Sequence, residues 1–171
     1  MGVLPDFTRT GVCSYDQYGK ASHQQKQSVP ARGKGPLRYI DVTTQKARLS
    51  EAKAVAKELV AAYQHSTIVD TVLCLDGTQV IGTCLANELT KDGFSNMNAH
   101  QTIYVITPEY TSGSQIILRD NLAPMVRGKH VLILSASITT GYTVQAAIEA
   151  VNYYGGTVAG LSAIFATTHE C

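Results

Sequence analysis

The sequence predicts an α/β protein with an open, mainly parallel sheet flanked by helices. Three observations carry that reading: two short apolar runs, Ile68–Leu75 and Val131–Leu134, each end in small or polar residues and pass directly into an amphipathic helix, and a third apolar run, Thr157–Ala166, follows the second helix. Strand, turn, helix, strand is the pattern of a parallel βαβ unit, whose strands are buried on both faces and read as continuous apolar runs.

Composition agrees with one such domain. With 171 residues, 44% hydrophobic and 16% charged, the chain supports one proper core. A net charge of +1 and the absence of a Lys/Arg-rich run argue against a nucleic-acid partner. No apolar stretch approaches the roughly 20 residues that cross a bilayer, and the first residues, MGVLPDFTRTG, lack the order of a signal peptide. No membrane partner and a cytoplasmic location are the expectation. Cys13, Cys74, Cys84 and Cys171 form no CxxC pair and read as free thiols, Cys74 and Cys84 within the core. No metal site is expected, although His169 and Cys171 would make half of one if Cys13 or His23 came near.

In chain order, residues 1–36 carry Gly, Pro, Ser, Gln and Lys with little to bury, and read as an N-terminal arm or hood; 37–171 read as the α/β domain. Leu37–Thr43 alternates like an edge or hood strand. Ser50 is a candidate N-cap for a helix to Gln64, with Ala52, Val55, Ala56, Leu59, Val60 and Tyr63 on its inner stripe. Ile68–Leu75 is a central strand that delivers Asp76-Gly77-Thr78, a turn opening the helix Gln79–Leu89. Gly82 inside that helix costs about 1 kcal/mol against Ala, which implies close packing on a strand. Thr90–His100 is a polar loop and Thr102–Ile106 a strand. Pro108–Lys129 is irregular around a β-like Gln115–Leu118. The run Val131–Leu134 is followed by a helix from Tyr142 to Tyr154, closed by Gly155-Gly156. Between run and helix, Ser137, Thr139, Thr140, Gly141, Tyr142 and Thr143 offer hydroxyls, backbone N–H groups and a position without Cβ at a helix N-terminus. This is a candidate phosphate-binding cup.

The segment VLILSASITTGYTVQAAIEAVNYYGGTVAGLSAIF resembles the signature segment of the type I phosphoribosyltransferases, the orotate-specific ones in particular. In that family a strand ends in two acidic residues and continues as a Thr-Thr-Gly-x-Thr loop and a helix. The resemblance implies that Thr139–Thr143 grips the 5-phosphate of phosphoribosyl pyrophosphate (PRPP) and that Asp76, Gly77 and Thr78 form the pyrophosphate loop. It implies a homodimer, and magnesium as cofactor if the transferase reaction is retained. The ribose-contact positions that match the acidic pair are Ser135 and Ala136, a degenerate form of the signature, and Tyr142 stands where glycine is frequent, its ring either crowding the cup or stacking on a ligand. The orotate type also has a mobile loop rich in lysine and arginine, whereas TPEYTSGSQIILRDNLAPM holds only Arg119. Arg119 is either part of that loop or a solvated charge. Arg32 and Lys34 in the arm either meet an anionic base or are solvated. The family core continues for another strand or two beyond the point that matches Cys171.

Transfer of a phosphoribosyl group passes through a cationic ribose while pyrophosphate leaves, and it needs groups that fix the ribose hydroxyls and neutralise the leaving charge. Ser135, Ala136 and the lysine-poor loop lack most of them. Three readings follow, with catalytic residues unknown. The chain binds PRPP or a nucleotide with reduced or lost transferase activity. Alternatively it is an active phosphoribosyltransferase of nucleotide or pyrimidine metabolism, Asp76 or Asp120 compensating for the acidic pair. In the third, it is a non-enzymatic dimerising module.

Overall fold

A computed structural model describes residues 13–16, 42–113, 115–138 and 141–166. The main sheet has five strands in the order β1-β7-β6-β2-β3: β1 (Cys13–Asp16), β2 (Thr71–Cys74), β3 (Tyr104–Ile106), β6 (His130–Ile138) and β7 (Thr157–Ala166). Every pairing among β7, β6, β2 and β3 is parallel, and β1 closes one edge antiparallel to β7. A separate two-stranded hairpin, β4 (Glu109–Tyr110) and β5 (Ile116–Ile117), precedes a short 3-10 segment at Ala123–Met125.

Helices cover both faces. On one side, α2 (Leu49–Val60) and α3 (Gln79–Leu89) bury Ala56, Leu59, Ile81 and Leu85 against Val72, Leu132 and Leu134. On the other, α4 (Tyr142–Tyr153) buries Ala147, Ala150 and Val151 against Leu73, Val131 and Ile133, together with Ile116, Leu118 and Val126. Adjacent β-strand residues point to opposite faces, so one apolar run supplies both cores. The short helix α1 (Thr43–Ala47) leads into α2. Among the described residues no helix is long and apolar enough to cross a membrane.

Several boundaries differ from the sequence reading. Thr43, read as the end of a strand, begins α1, and α2 starts at Leu49 behind Arg48 and ends at Val60. The inner stripe of α2 is as read, with Val55 only partly buried. Residues 1–36 contain β1, whose backbone pairs antiparallel with β7. β6 runs four residues past Leu134, because Ser135, Ser137 and Ile138 keep their pairing with Ala163, Phe165 and Ala166. Small residues satisfy a ladder as well as apolar ones, since its bonds are backbone bonds. The polar loop after α3 is anchored by wholly buried Asn98, which accepts from the Val69 N–H (2.9 Å) and donates to the Thr67 carbonyl (2.8 Å).

At the amino ends of β2 and β6, Asp70 accepts from the His130 backbone N–H and meets its ring Nδ1, both at 2.8 Å. Burial pushes the Asp70 carboxyl up, but the His130 N–H, the His130 ring and the Lys129 charge outweigh it and hold the carboxyl below its ordinary range. A carboxyl depressed in the folded state adds stability above its unfolded pKa of about 4 and loses it as pH falls through the folded value. Thermal melts from pH 7 downward will show Asp70→Asn less stable than wild type at neutral pH, with the gap closing below about pH 4. A gap that stays constant with pH would assign the effect to packing.

Candidate functional site at the carboxyl ends of β2 and β6

β2 and β6 are parallel neighbours, with Cys74 paired to Leu134, so both chains leave the sheet on the same edge. In open α/β sheets, ligands bind outside this edge. The Leu75 N–H donates to the Leu134 carbonyl at 2.8 Å and carries the pairing one residue further. Asp76 and Gly77 then both take left-handed backbone, with φ of 54° and 75°. Glycine adopts that region without penalty, and aspartate is among the few other residues that tolerate it. This double turn reverses the chain into α3.

The turn brings Asp76 to the end of β6. Ser135 is fully buried, and its hydroxyl donates to Asp76 Oδ2 at 2.8 Å, with the Ser137 carbonyl as second acceptor at 3.1 Å. Asp76 itself is exposed. Lys46, from α1, donates to the Asp76 backbone carbonyl at 3.0 Å. Tyr110, from the hairpin, reaches the same loop: burial pushes its hydroxyl above the ordinary tyrosine value, the Asp76 charge adds to this, and a hydrogen bond to the Asp76 backbone opposes both.

Thr78 is buried, and its hydroxyl is shared between the carbonyls of Leu75 (2.7 Å) and Leu134 (3.1 Å). Its side chain therefore ties the β2–α3 turn to β6, and its backbone N–H donates to the Leu75 carbonyl at 3.1 Å. Ala136 is also buried, on the sheet face opposite Ser135 by strand alternation. Ser137 is exposed near the end of β6. Thr139 and Thr140 lie outside the described residues, as do Arg32, Lys34, His169 and Cys171. Gly141 caps α4 in left-handed backbone (φ 79°) with open space around it, and Tyr142 and Thr143 are exposed on the first turn.

Arg119 is held by Glu109 through its Nε and Nη2 atoms, which ties it to the hairpin. Asp120 is exposed, and no hydrogen bond joins it to Asp76 or Ser135 among the described residues. Lys46 and Tyr110 are the site residues that sequence reading missed; neither stands in a motif, and only the folded chain brings them to Asp76. Among the described residues no group of three or more His, Cys, Asp or Glu side chains is placed to hold a metal.

No family model matches the chain, and no curated protein matches its sequence. Solved structures do match. UMP synthase of Leishmania donovani is 22% identical over 70% of this chain and 23% of its own, with a TM-score of 0.48. A phosphoribosyltransferase from Corynebacterium diphtheriae is 23% identical over 69% of this chain and 66% of its own, at 0.42. Adenine phosphoribosyltransferase of Thermoanaerobacter pseudethanolicus is 17% identical over 77% of both chains, at 0.50. The chain thus spans about a quarter of the length of the synthase and about two thirds of the Corynebacterium protein. Taken with the parallel sheet and its flanking helices, the last of these overlaps establishes that the chain has the type I phosphoribosyltransferase fold.

Proposed function

We propose that this protein binds a phosphorylated ribose ligand, PRPP or a nucleotide, at the carboxyl edge of β2 and β6, and that its transferase activity is reduced or lost. The observation that carries this reading is the end of β6. Where the signature motif has two carboxylates, Ala136 offers no side-chain acceptor and Ser135 is buried and already bonded. Arg119, the one cation of the loop 107–125, is engaged by Glu109. The binding half of the site keeps its means: the α4 N-terminus with its exposed Thr143, and the β2–α3 turn.

One observation favours the active alternative. The Asp76 carboxylate lies against Ser135, so a charge absent from the strand is supplied by the adjacent turn. A homodimer and a role in nucleotide metabolism follow from the same reading.

Calorimetric titration with PRPP and with a nucleoside monophosphate, each with and without magnesium, tests it. Heat of binding without pyrophosphate release in the presence of orotate or a purine base is the expected result. Turnover would establish the active alternative, and no heat with any ligand would leave the fold as an interaction module.

A further inference from the structure

Resting on that reading, we infer that Asp76 is the acceptor for the sugar hydroxyls, and that the site takes a ribose monophosphate in preference to a ribose carrying pyrophosphate. The Ser135 hydroxyl donates to one carboxylate oxygen, Oδ2, and fixes the direction of the group. Among the described residues no hydrogen bond reaches the other oxygen, Oδ1, and no cation pairs with the carboxylate, since Lys46 bonds the backbone carbonyl instead. An oriented carboxylate with an unused oxygen beside an exposed strand end is an acceptor for hydroxyl groups.

Its position has a second effect. Asp76 belongs to the turn whose backbone N–H groups would otherwise meet the pyrophosphate. A carboxylate there repels a group of like charge, and the more phosphates the ligand places in the turn, the greater the loss. The acceptor has in effect moved from the strand to the turn, and the pyrophosphate subsite is given up in the exchange.

The full chain is titrated in magnesium-free buffer with ribose 5-phosphate, 2-deoxyribose 5-phosphate and PRPP, as wild type and as Asp76→Asn. Asparagine keeps the size and tolerates the left-handed backbone, and melting curves check its fold. Wild type will bind ribose 5-phosphate more tightly than PRPP, and more tightly than the deoxy sugar by about tenfold, the lower end of what a charge-assisted hydrogen bond contributes. In Asp76→Asn the preference for ribose over deoxyribose will shrink and PRPP will bind more tightly than to wild type. Ser135→Ala, which frees the carboxylate to turn, will weaken the same preference without improving PRPP binding. Undiminished discrimination in Asp76→Asn, or a wild type that prefers PRPP, overturns the inference while leaving the proposed function standing. A wild type that binds none of the three overturns the inference, and one that also binds neither PRPP nor a nucleoside monophosphate with magnesium present overturns both.

Discussion

Gly82→Ala and Gly156→Ala will both lower the melting temperature, and a second substitution will rescue only the first. A Cβ at Gly82 would lie 2.3 Å from Cys74 Sγ, with Val105 Cγ1 at 3.4 Å and Val72 Cγ1 at 3.5 Å. The α3–β2 contact therefore has no room for a methyl group, as glycine in the middle of a helix suggested. Overpacking of this kind costs about 3 kcal/mol, offset by about 1 kcal/mol of helix propensity, and the net of about 2 kcal/mol corresponds to roughly 4–8 °C. Burial pushes the Cys74 thiol up to about 12, so this sulfur is a neutral space-filler at working pH. Cys74→Ala removes the obstructing atom, and the double variant will recover most of the loss. At Gly156 the Cβ would meet Val126 Cγ1 and the Val126 carbonyl oxygen, both at 2.8 Å, and Val151 Cγ1 at 3.0 Å. A carbonyl has no rotamer to retreat into, so this variant will lose about 3 kcal/mol or more. Differential scanning calorimetry of wild type, the two glycine variants, Gly82→Ala with Cys74→Ala and Gly156→Ala with Val126→Ala checks the contrast; equal rescue at both sites would contradict it.

Ser135→Asp, the substitution that would restore half of the acidic pair, will destabilise the protein. Position 135 is fully buried, and its side chain points at Asp76 Oδ2. Two carboxylates at hydrogen-bonding distance repel, and the buried one also loses its hydration, so a penalty of about 2–4 kcal/mol is expected at pH 7. The sign of the pH dependence follows. A carboxyl raised in the folded state binds its proton more tightly there than in the unfolded chain, so stability falls as pH rises from about 4 toward the folded value and stays low above it. The variant will therefore approach wild type near pH 4, and Asp76→Asn will relieve much of the penalty at pH 7. A penalty independent of pH would mean that shape, not charge, is the cause.

Elements whose ends are marked by local chemistry were legible in the sequence. The helix Gln79–Leu89 is bounded by the Asp-Gly-Thr turn and the strand Thr157–Ala166 by Gly155-Gly156, and both fall where they were read. Gly155 ends α4 in left-handed backbone, its N–H on the Asn152 carbonyl and that of Gly156 on the Val151 carbonyl, a Schellman closure. Elements that exist only through distant pairing were not legible. Cys13–Asp16 is held by β7, about 150 residues further along the chain. Ser135–Ile138 looked like the start of a loop because side chains announce burial and say nothing of backbone pairing. The candidate site divides the same way. Asp76 stood out by its turn and Ser135 by its place in the motif, whereas Lys46 and Tyr110 arrive from α1 and the hairpin with no local signal.

The Thr78 hydroxyl, shared by the Leu75 carbonyl just past β2 and the Leu134 carbonyl inside β6, ties the β2–α3 turn to the body of the sheet. For the ligand proposed above, the β2–α3 turn is already held in place before binding, so little binding energy would be spent on ordering that turn. Under the proposed function, a turn fixed in advance means that ligands of different affinity will differ mainly in how long they stay, not in how fast they arrive.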